Sequence, residues 1–319
     1  YLRNQRRIRF PDLQENLTYS LSVRYAFPEW MVALFLEQYG RERTETIMAS
    51  MNERPQTTLR INTLKTGVEE YRKCLDEAGI LSDKGMIFPE YLRLLNLKGP
   101  IRDLPGYDHG LFSVQDESAG FVGRLAMQNM RQRFVEICVA PGGKISHLAE
   151  LTAGQKMLAG LDLSWSRLRM VRDNLGRMDV KSVQLVRADG TRLPFKPFDA
   201  GLIDAPCSGL GVIRKSPDIK IRRQPGDLNE IREIQWQLLS EAGILTNPGG
   251  ILIYSTCTIN RDENERMIER FLRSFPTFSI EPQAKIFPEN RVSTGGWIET
   301  VHHLDDMDGT YCVLLRKVK

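Results

Sequence analysis

The sequence predicts an α/β protein, a mostly parallel sheet with helices on both faces, preceded by a smaller α+β region. Three observations carry this. From Phe134 onward short apolar runs alternate with helical patterns, roughly one unit per 25 residues, as in a doubly wound sheet. Two of the runs, Phe198 to Ile203 and Gly250 to Tyr254, end in small-residue turns that each carry a cysteine, Cys207 and Cys257. A glycine pair, Gly142-Gly143, joins the first run to its helix, where backbone N–H groups can meet a ligand closely.

The chain has 319 residues and a net charge of +4, which suits one large domain or two of ordinary size and permits a nucleic-acid partner without requiring one. No apolar run reaches the length of about 18 residues that a membrane span needs. The start, Tyr1-Leu2-Arg3, is not followed by the apolar core of a signal peptide. It is not Met either, so a cut or incomplete N-terminus is expected. The five cysteines (Cys74, Cys138, Cys207, Cys257, Cys312) are widely spaced, with no CxxC pair and no zinc pattern. Reduced thiols in a cytoplasmic protein are the simplest reading, and no metal is expected.

Residues 1–20 carry Arg3, Arg6, Arg7 and Arg9 before the first acid, Asp12. They read as a linker or the remnant of a missing helical domain. Residues 21–125 read as a helical and small α+β region that positions RNA. Pro28 opens a helix, Trp30, Leu34 and Tyr39 recur near the helical period, Gly40 closes it, and a second helix covers Thr44 to Met51. Thr57 to Asn62 and Tyr91 to Leu95 read as strands flanking a helix from Val68 to Ala78. With Arg54, Arg60 and Lys65 as a basic surface, this suits an RNA-binding split βαβ module. The aromatic stacking signature of such modules is not visible, and a packing subdomain is the other reading. Ser113 or Asp116 is placed to cap an apolar helix ending at Met127.

Residues 126–319 form the main α/β domain. Its first strand ends at Cys138, followed by Val139-Ala140-Pro141-Gly142-Gly143-Lys144 and a helix to Leu151. The glycine pattern matches neither a dinucleotide fingerprint nor a P-loop. Asp162 ends the second strand, 20 residues after Gly142, where a carboxylate would hold a ribose diol. The site therefore suits an adenosine without phosphates; an N-cap role for Asp162 or Ser164 is the alternative. Asp189 ends the third strand and reads equally as an adenine contact or a turn residue before Gly190. The fourth strand delivers Asp204-Ala205-Pro206-Cys207. Ligands collect at the carboxyl ends of such strands, which puts both cysteines at a site, although free cysteines are also often structural. Ile213 to Arg223 carries Arg214, Lys215, Lys220, Arg222 and Arg223 against one acid, Asp218, as a phosphate-contacting loop or a solvated one. A helix from Asp227 to Ala242, the fifth strand, a helix from Arg261 to Phe271 and a last strand from Thr310 to Val318 complete the pattern. His302 to Asp308 reads as a polar loop rather than a metal site.

Together the blocks at 139–144, 204–209 (Asp-Ala-Pro-Cys-Ser-Gly) and 255–257 (Ser-Thr-Cys) resemble the Sun-type RNA 5-methylcytosine methyltransferases that use S-adenosylmethionine. Pro28-Glu29-Trp30, Leu59 to Thr63, Leu111 to Ser118 and Ser216 to Lys220 extend the likeness across most of residues 22–275, toward members acting on 16S, small-subunit, ribosomal RNA. In those a helical domain resembling the antitermination factor NusB comes first, and Tyr1 to Arg7 would be its last residues. The resemblance implies a class I, Rossmann-like methyltransferase domain; a monomer is expected, although nothing in the sequence reads the oligomeric state. It implies that Cys138, Val139, Ala140, Pro141, Gly142, Gly143 and Lys144 form the cofactor loop, that Asp162 holds the ribose and Asp189 the adenine side, and that Asp204 lies between cofactor and base. Cys257 would be the nucleophile, adding to C6 of cytosine, and Cys207 would assist product release. The chain departs from the family at Glu136, Val139, Ile145-Ser146 and Lys215-Ser216, and from Pro282 to Gly309. Transfer to another base or to protein would leave both cysteines idle, and the Asp-Pro-Pro-aromatic signature of amino-group methyltransferases is absent. An RNA-binding assembly factor without turnover is the reading of a different class.

Overall fold

The computed structural model describes residues 16–129, 133–283, 287 and 291–318; the basic run Arg3 to Arg9 lies outside them. Helix α1 (Leu17–Tyr25) starts where the Asn16 side chain accepts a hydrogen bond from the Tyr19 N–H. Helix α2 (Glu29–Met51) is two helices merged across Gly40, whose φ of 71° breaks the run. The residues fully buried from its first half are Met31, Val32 and Phe35, with Trp30, Leu34 and Tyr39 only flanking them. The sequence stripe was thus one residue out of phase, because two neighbouring rows of this helix are apolar. This cluster packs on Leu210, Ile213 and Ile259, from the loops after the fourth and fifth strands of the main sheet, and on Ile219, at the start of a short helix between them. The N-terminal helices therefore brace the cysteine loops.

Next comes a small antiparallel sheet: β1 (Thr57–Ile61), α3 (Val68–Glu77), β2 (Ser82–Lys84), β3 (Tyr91–Leu94), a 3₁₀ turn (Ile101–Asp103) and β4 (Phe112–Val114), in the order β2-β3-β1-β4. This is the split βαβ arrangement with its second helix reduced to the 3₁₀ turn. Leu59 and Ile61 meet Tyr71 and Leu75 of α3 on one face. Arg60 points the other way and is fully buried, so it is not part of a basic surface. It pairs with Glu150 at 2.8 Å and donates to the Gly143 carbonyl at 2.8 Å.

The main sheet is built from β5 (Arg133–Ile137), β6 (Met157–Asp162), β7 (Val183–Arg187), β8 (Phe198–Asp204), β9 (Thr246–Thr256), β10 (Phe278–Ile280), β11 (Ile298–Thr300) and β12 (Thr310–Lys317). Its order is β10-β12-β9-β8-β5-β6-β7, with β11 also on β12. β5 to β9 run parallel; β12 enters antiparallel beside β9. Helices α4 (Ser118–Asn129), α5 (Gly143–Leu151), α6 (Trp165–Arg177), α7 (Ile219–Arg222), α8 (Pro225–Leu245), α9 (Glu265–Ser274) and α10 (His302–Asp305) complete the chain. The Asp116 carboxylate accepts from the Ser118 N–H at 3.0 Å and caps α4, while Ser113 lies in β4. α9 begins four residues later than its apolar pattern predicts. Thr258 to Asn264 instead forms a loop closed by side chains: Asn264 donates to the Thr258 carbonyl at 2.9 Å, and Gln38 of α2 donates to Asn260 at 2.8 Å. The expected polar loop at 302–308 is a short helix with His302 buried. The strand order reverses between β5 and β8, and the site lies at that switch point, beyond the carboxyl ends of the strands.

Candidate active site

Each parallel strand delivers its side chain as it leaves the sheet. After β5 the backbone turns at Cys138, with φ of 63°, and the Gly142 N–H closes the loop on the Val139 carbonyl at 2.7 Å. Gly142 needs its hydrogen: its φ is 95°, and a Cβ would sit 2.9 Å from Val171 Cγ1. Cys138, Ala140, Pro141 and Lys144 line a cavity of about 480 Å³ together with Asp162, Arg167, Asp189, Asp204, Cys207 and Cys257. Ligand sites of drug-sized molecules fall in that volume range. Val139 instead fills the core between β5 and β6, and Gly143 gives its carbonyl to Arg60; these two shape the loop without lining the cavity.

Asp162 is buried. Its Oδ1 accepts from the Ser164 N–H at 2.9 Å, while Oδ2 has no hydrogen-bond donor among the described residues and lies 3.3 Å from Arg167. The N-cap role falls to Ser164, whose side chain accepts from the Arg167 N–H, and Asp162 keeps one oxygen on the turn and the other toward the cavity. Asp189 accepts from the N–H and hydroxyl of Thr191 at 2.9 and 2.7 Å, and these hydrogen bonds lower its pKa.

At the other end of the cavity Cys207 Sγ and Cys257 Sγ lie 3.1 Å apart, with both thiols free. Lys144 Nζ donates to Asp204 Oδ2 at 2.8 Å. Burial disfavours the Lys144 charge, but the Asp204 carboxylate holds its pKa above the ordinary value. The hydrogen bond from Cys207 lowers the Cys257 pKa, helped by the Lys144 charge, and raises that of Cys207. Of the two sulfurs, Cys257 is the one whose thiolate the surroundings favour.

The cysteine turn is held by residues the sequence did not mark. Buried Glu263 accepts from the Ser208 N–H at 2.8 Å and from Gln235 at 3.0 Å, and Gln235 also donates to the Pro206 carbonyl at 2.9 Å. Arg223 donates to the carbonyls of Cys207 and Ser208, each at 3.0 Å. Its positive charge therefore serves the turn rather than a phosphate. Arg214 is buried on Asp306 at 2.8 Å, and Lys215 bridges Asp116 and Asp308. Lys220 donates to Asn52 and lies over the Phe27 ring. Only Arg222 of the five is exposed, beside Asp218. Four of the five cations are engaged within the chain because the segment between β8 and α8 lies against the ends of α2 and α10.

The fold and site define a class I methyltransferase whose cofactor is S-adenosylmethionine. The residues fit that group. One buried carboxylate oxygen of Asp162 has no hydrogen-bond donor among the described residues, the glycine turn admits close approach, and Lys144 is neutralised by Asp204, which suits a nucleoside without phosphates. The chain belongs to the 16S rRNA methyltransferase RsmB/F family: that family's model matches residues 123–316, and the RsmF/B-like ferredoxin-like domain matches residues 27–99. The probable ribosomal RNA small subunit methyltransferase B of Synechocystis is 34% identical over 304 residues, 93% of this chain and 68% of that protein. The corresponding probable enzyme of Bacillus subtilis is 32% identical over 316 residues, 96% of this chain and 70% of that protein. A methyltransferase homolog protein from Pyrococcus horikoshii superposes with a TM-score of 0.80 at 25% identity, covering 95% of this chain and 99% of the other. S-adenosylmethionine-dependent methylation of rRNA is the family's activity.

Proposed function

We propose that this chain transfers a methyl group to C5 of a cytosine in 16S ribosomal RNA through a covalent adduct between Cys257 and C6. The carrying observation is the pair of free thiols 3.1 Å apart beside the Lys144–Asp204 pair. S-adenosylmethionine supplies an electrophilic methyl group; Asp162 holds its ribose, Asp189 its adenine side, and the turn from Cys138 to Lys144 its amino-acid end. C5 of cytosine is a weak nucleophile until a thiolate adds to C6 and makes it enamine-like. Cys257 adds, with Lys144 and the Cys207 thiol stabilising the thiolate beforehand. Asp204 accepts from the exocyclic amine and shares a proton with N3, which takes up the charge as the thiolate adds to C6. After methylation Cys207, or a water it orients, takes the C5 proton and Cys257 departs. The small sheet and Arg222 position the RNA strand.

Cys257→Ser yields neither methyl transfer nor adduct, whereas Cys207→Ser accumulates a protein–RNA complex that survives a denaturing gel. An adduct in the Cys257 variant would reverse the two roles. Nucleoside analysis of labelled product identifies the base: label in anything but 5-methylcytosine overturns the cytosine reading. Cofactor binding with no label at all favours an assembly factor. The target base must leave its stack, at about a few kcal/mol unless already unpaired. Naked 16S RNA is therefore the better substrate, and equal rates on assembled subunits would contradict that.

A further inference from the structure

Glu136 is the last residue but one of β5, fully buried, and no described residue donates a hydrogen bond to either of its carboxylate oxygens. Buried polar groups are rarely left so, and a buried carboxyl group beside a cleft is a candidate for a functional role. Its position is defined by register. Glu136 pairs with Leu202 of β8, and Asp204 follows Leu202 by two residues on the same face of the sheet. Asp204 in turn sits level with Ser255 of β9 and Cys312 of β12. Glu136 is thus one step below Asp204, under Lys144. The charged groups acting on it are Asp204 from β8 and Lys144 from α5; Cys138, at the end of its own strand, also feels it. Its burial, with the nearby Asp204 charge, raises its pKa well above the ordinary carboxylate value.

Resting on the cytosine reading, the mechanism has a gap that Glu136 fills. Asp204 holds Lys144 through Oδ2 alone, and a base that draws on the same carboxylate loosens that hold. We infer that Glu136 is a positioning residue, a second acceptor that takes the Lys144 ammonium when the base draws Asp204 away. The Lys144 proton stays on Lys144; Glu136 accepts through its carbonyl oxygen and keeps its own proton. The cation exchanges one partner for another and remains beside Cys257 throughout.

The exchange is tested without RNA. Asp204→Ala imitates an Asp204 taken by the base, and the reactivity of Cys257 toward iodoacetamide, followed against pH by peptide mass spectrometry on the full chain, reads whether Lys144 stays. Asp204→Ala alone is expected to keep the reactive Cys257, while Asp204→Ala with Glu136→Leu moves its titration up by about one pH unit. Identical profiles for the single and double variants would overturn the assignment. In turnover, Glu136→Leu is expected to lower kcat about 10- to 100-fold with KM for S-adenosylmethionine unchanged, and Glu136→Gln, which keeps an acceptor oxygen, restores most of it. A Gln variant as slow as the Leu variant would overturn the acceptor role. If the product is not 5-methylcytosine, the thiol titration still reads Glu136, so the two ideas fail separately.

Discussion

Asp162 commits one oxygen to the turn after β6 and leaves the other open in the cavity. Asp162→Ala should therefore weaken S-adenosylmethionine binding by about 2 kcal/mol, the loss of a hydrogen bond to a charged group, read by calorimetry. Unchanged affinity would remove Asp162 from the ribose. At this scale the sequence was informative wherever a residue ends a strand. Asp162, Asp189, Asp204 and Cys207 all line the cavity as spacing suggested. It was silent on Glu263, Gln235 and the inward role of Arg223, since these act through loop and helix positions whose direction no periodicity encodes. It read Arg214 and Lys215 as phosphate contacts, and the structure pairs them with Asp306, Asp116 and Asp308, carboxylates from distant segments that no local pattern reveals.

Among elements, β1 ties the small sheet to the cofactor loop. The Arg60 side chain runs from β1 to Glu150, Ser146 and the Gly143 carbonyl of α5. Arg60→Met leaves Glu150 buried and unpaired, a change worth about 3–5 kcal/mol, to be seen as an earlier urea midpoint. Adding Glu150→Leu should recover much of the loss, and a double variant no more stable than the single one would refute the coupling. The strand itself was legible, but its Thr-Thr-Leu-Arg-Ile pattern implied an open polar face. Both faces are covered, one by α3 and the other by α5. On α7, Arg222 is the exposed cation, so Arg222→Ala should weaken RNA binding at low salt and flatten its salt dependence; an unchanged salt slope would exclude it.

For the whole molecule, acid is the vulnerable direction. Burial pushes His147 down to about 4, against the hydrogen bond it gives Glu90 at 3.1 Å, and pushes His302 to about 4 as well, with Arg214 adding to the effect. A histidine with a depressed folded pKa is neutral in both states above its unfolded value, and its contribution is lost as pH falls from about 6.5 to 4. Glu90 is buried too, but hydrogen bonds from His147 and Arg124 hold it at about 2, so its loss follows below about 4.5. Each histidine should cost about 3 kcal/mol over its window. Denaturation midpoints at pH 7 and 5 would show this, and His147→Gln should lessen the slope; the same slope in that variant would sink the assignment. The parallel order of β5 to β9 could be read from the alternation of strands and helices, whereas the place of β12 could not, since pairing partners are not written in a strand's own residues. That place matters during synthesis. β12 is last in sequence order yet interior to the sheet, flanked by β9 and β10. A nascent chain that has made β9 must hold that apolar edge open until β12 leaves the ribosome, as a ready template for mispairing. A chain cut before Thr310 keeps every residue lining the cavity and still lacks the strand that closes the sheet beside Cys257, so it is expected to aggregate rather than to fold into a weaker enzyme.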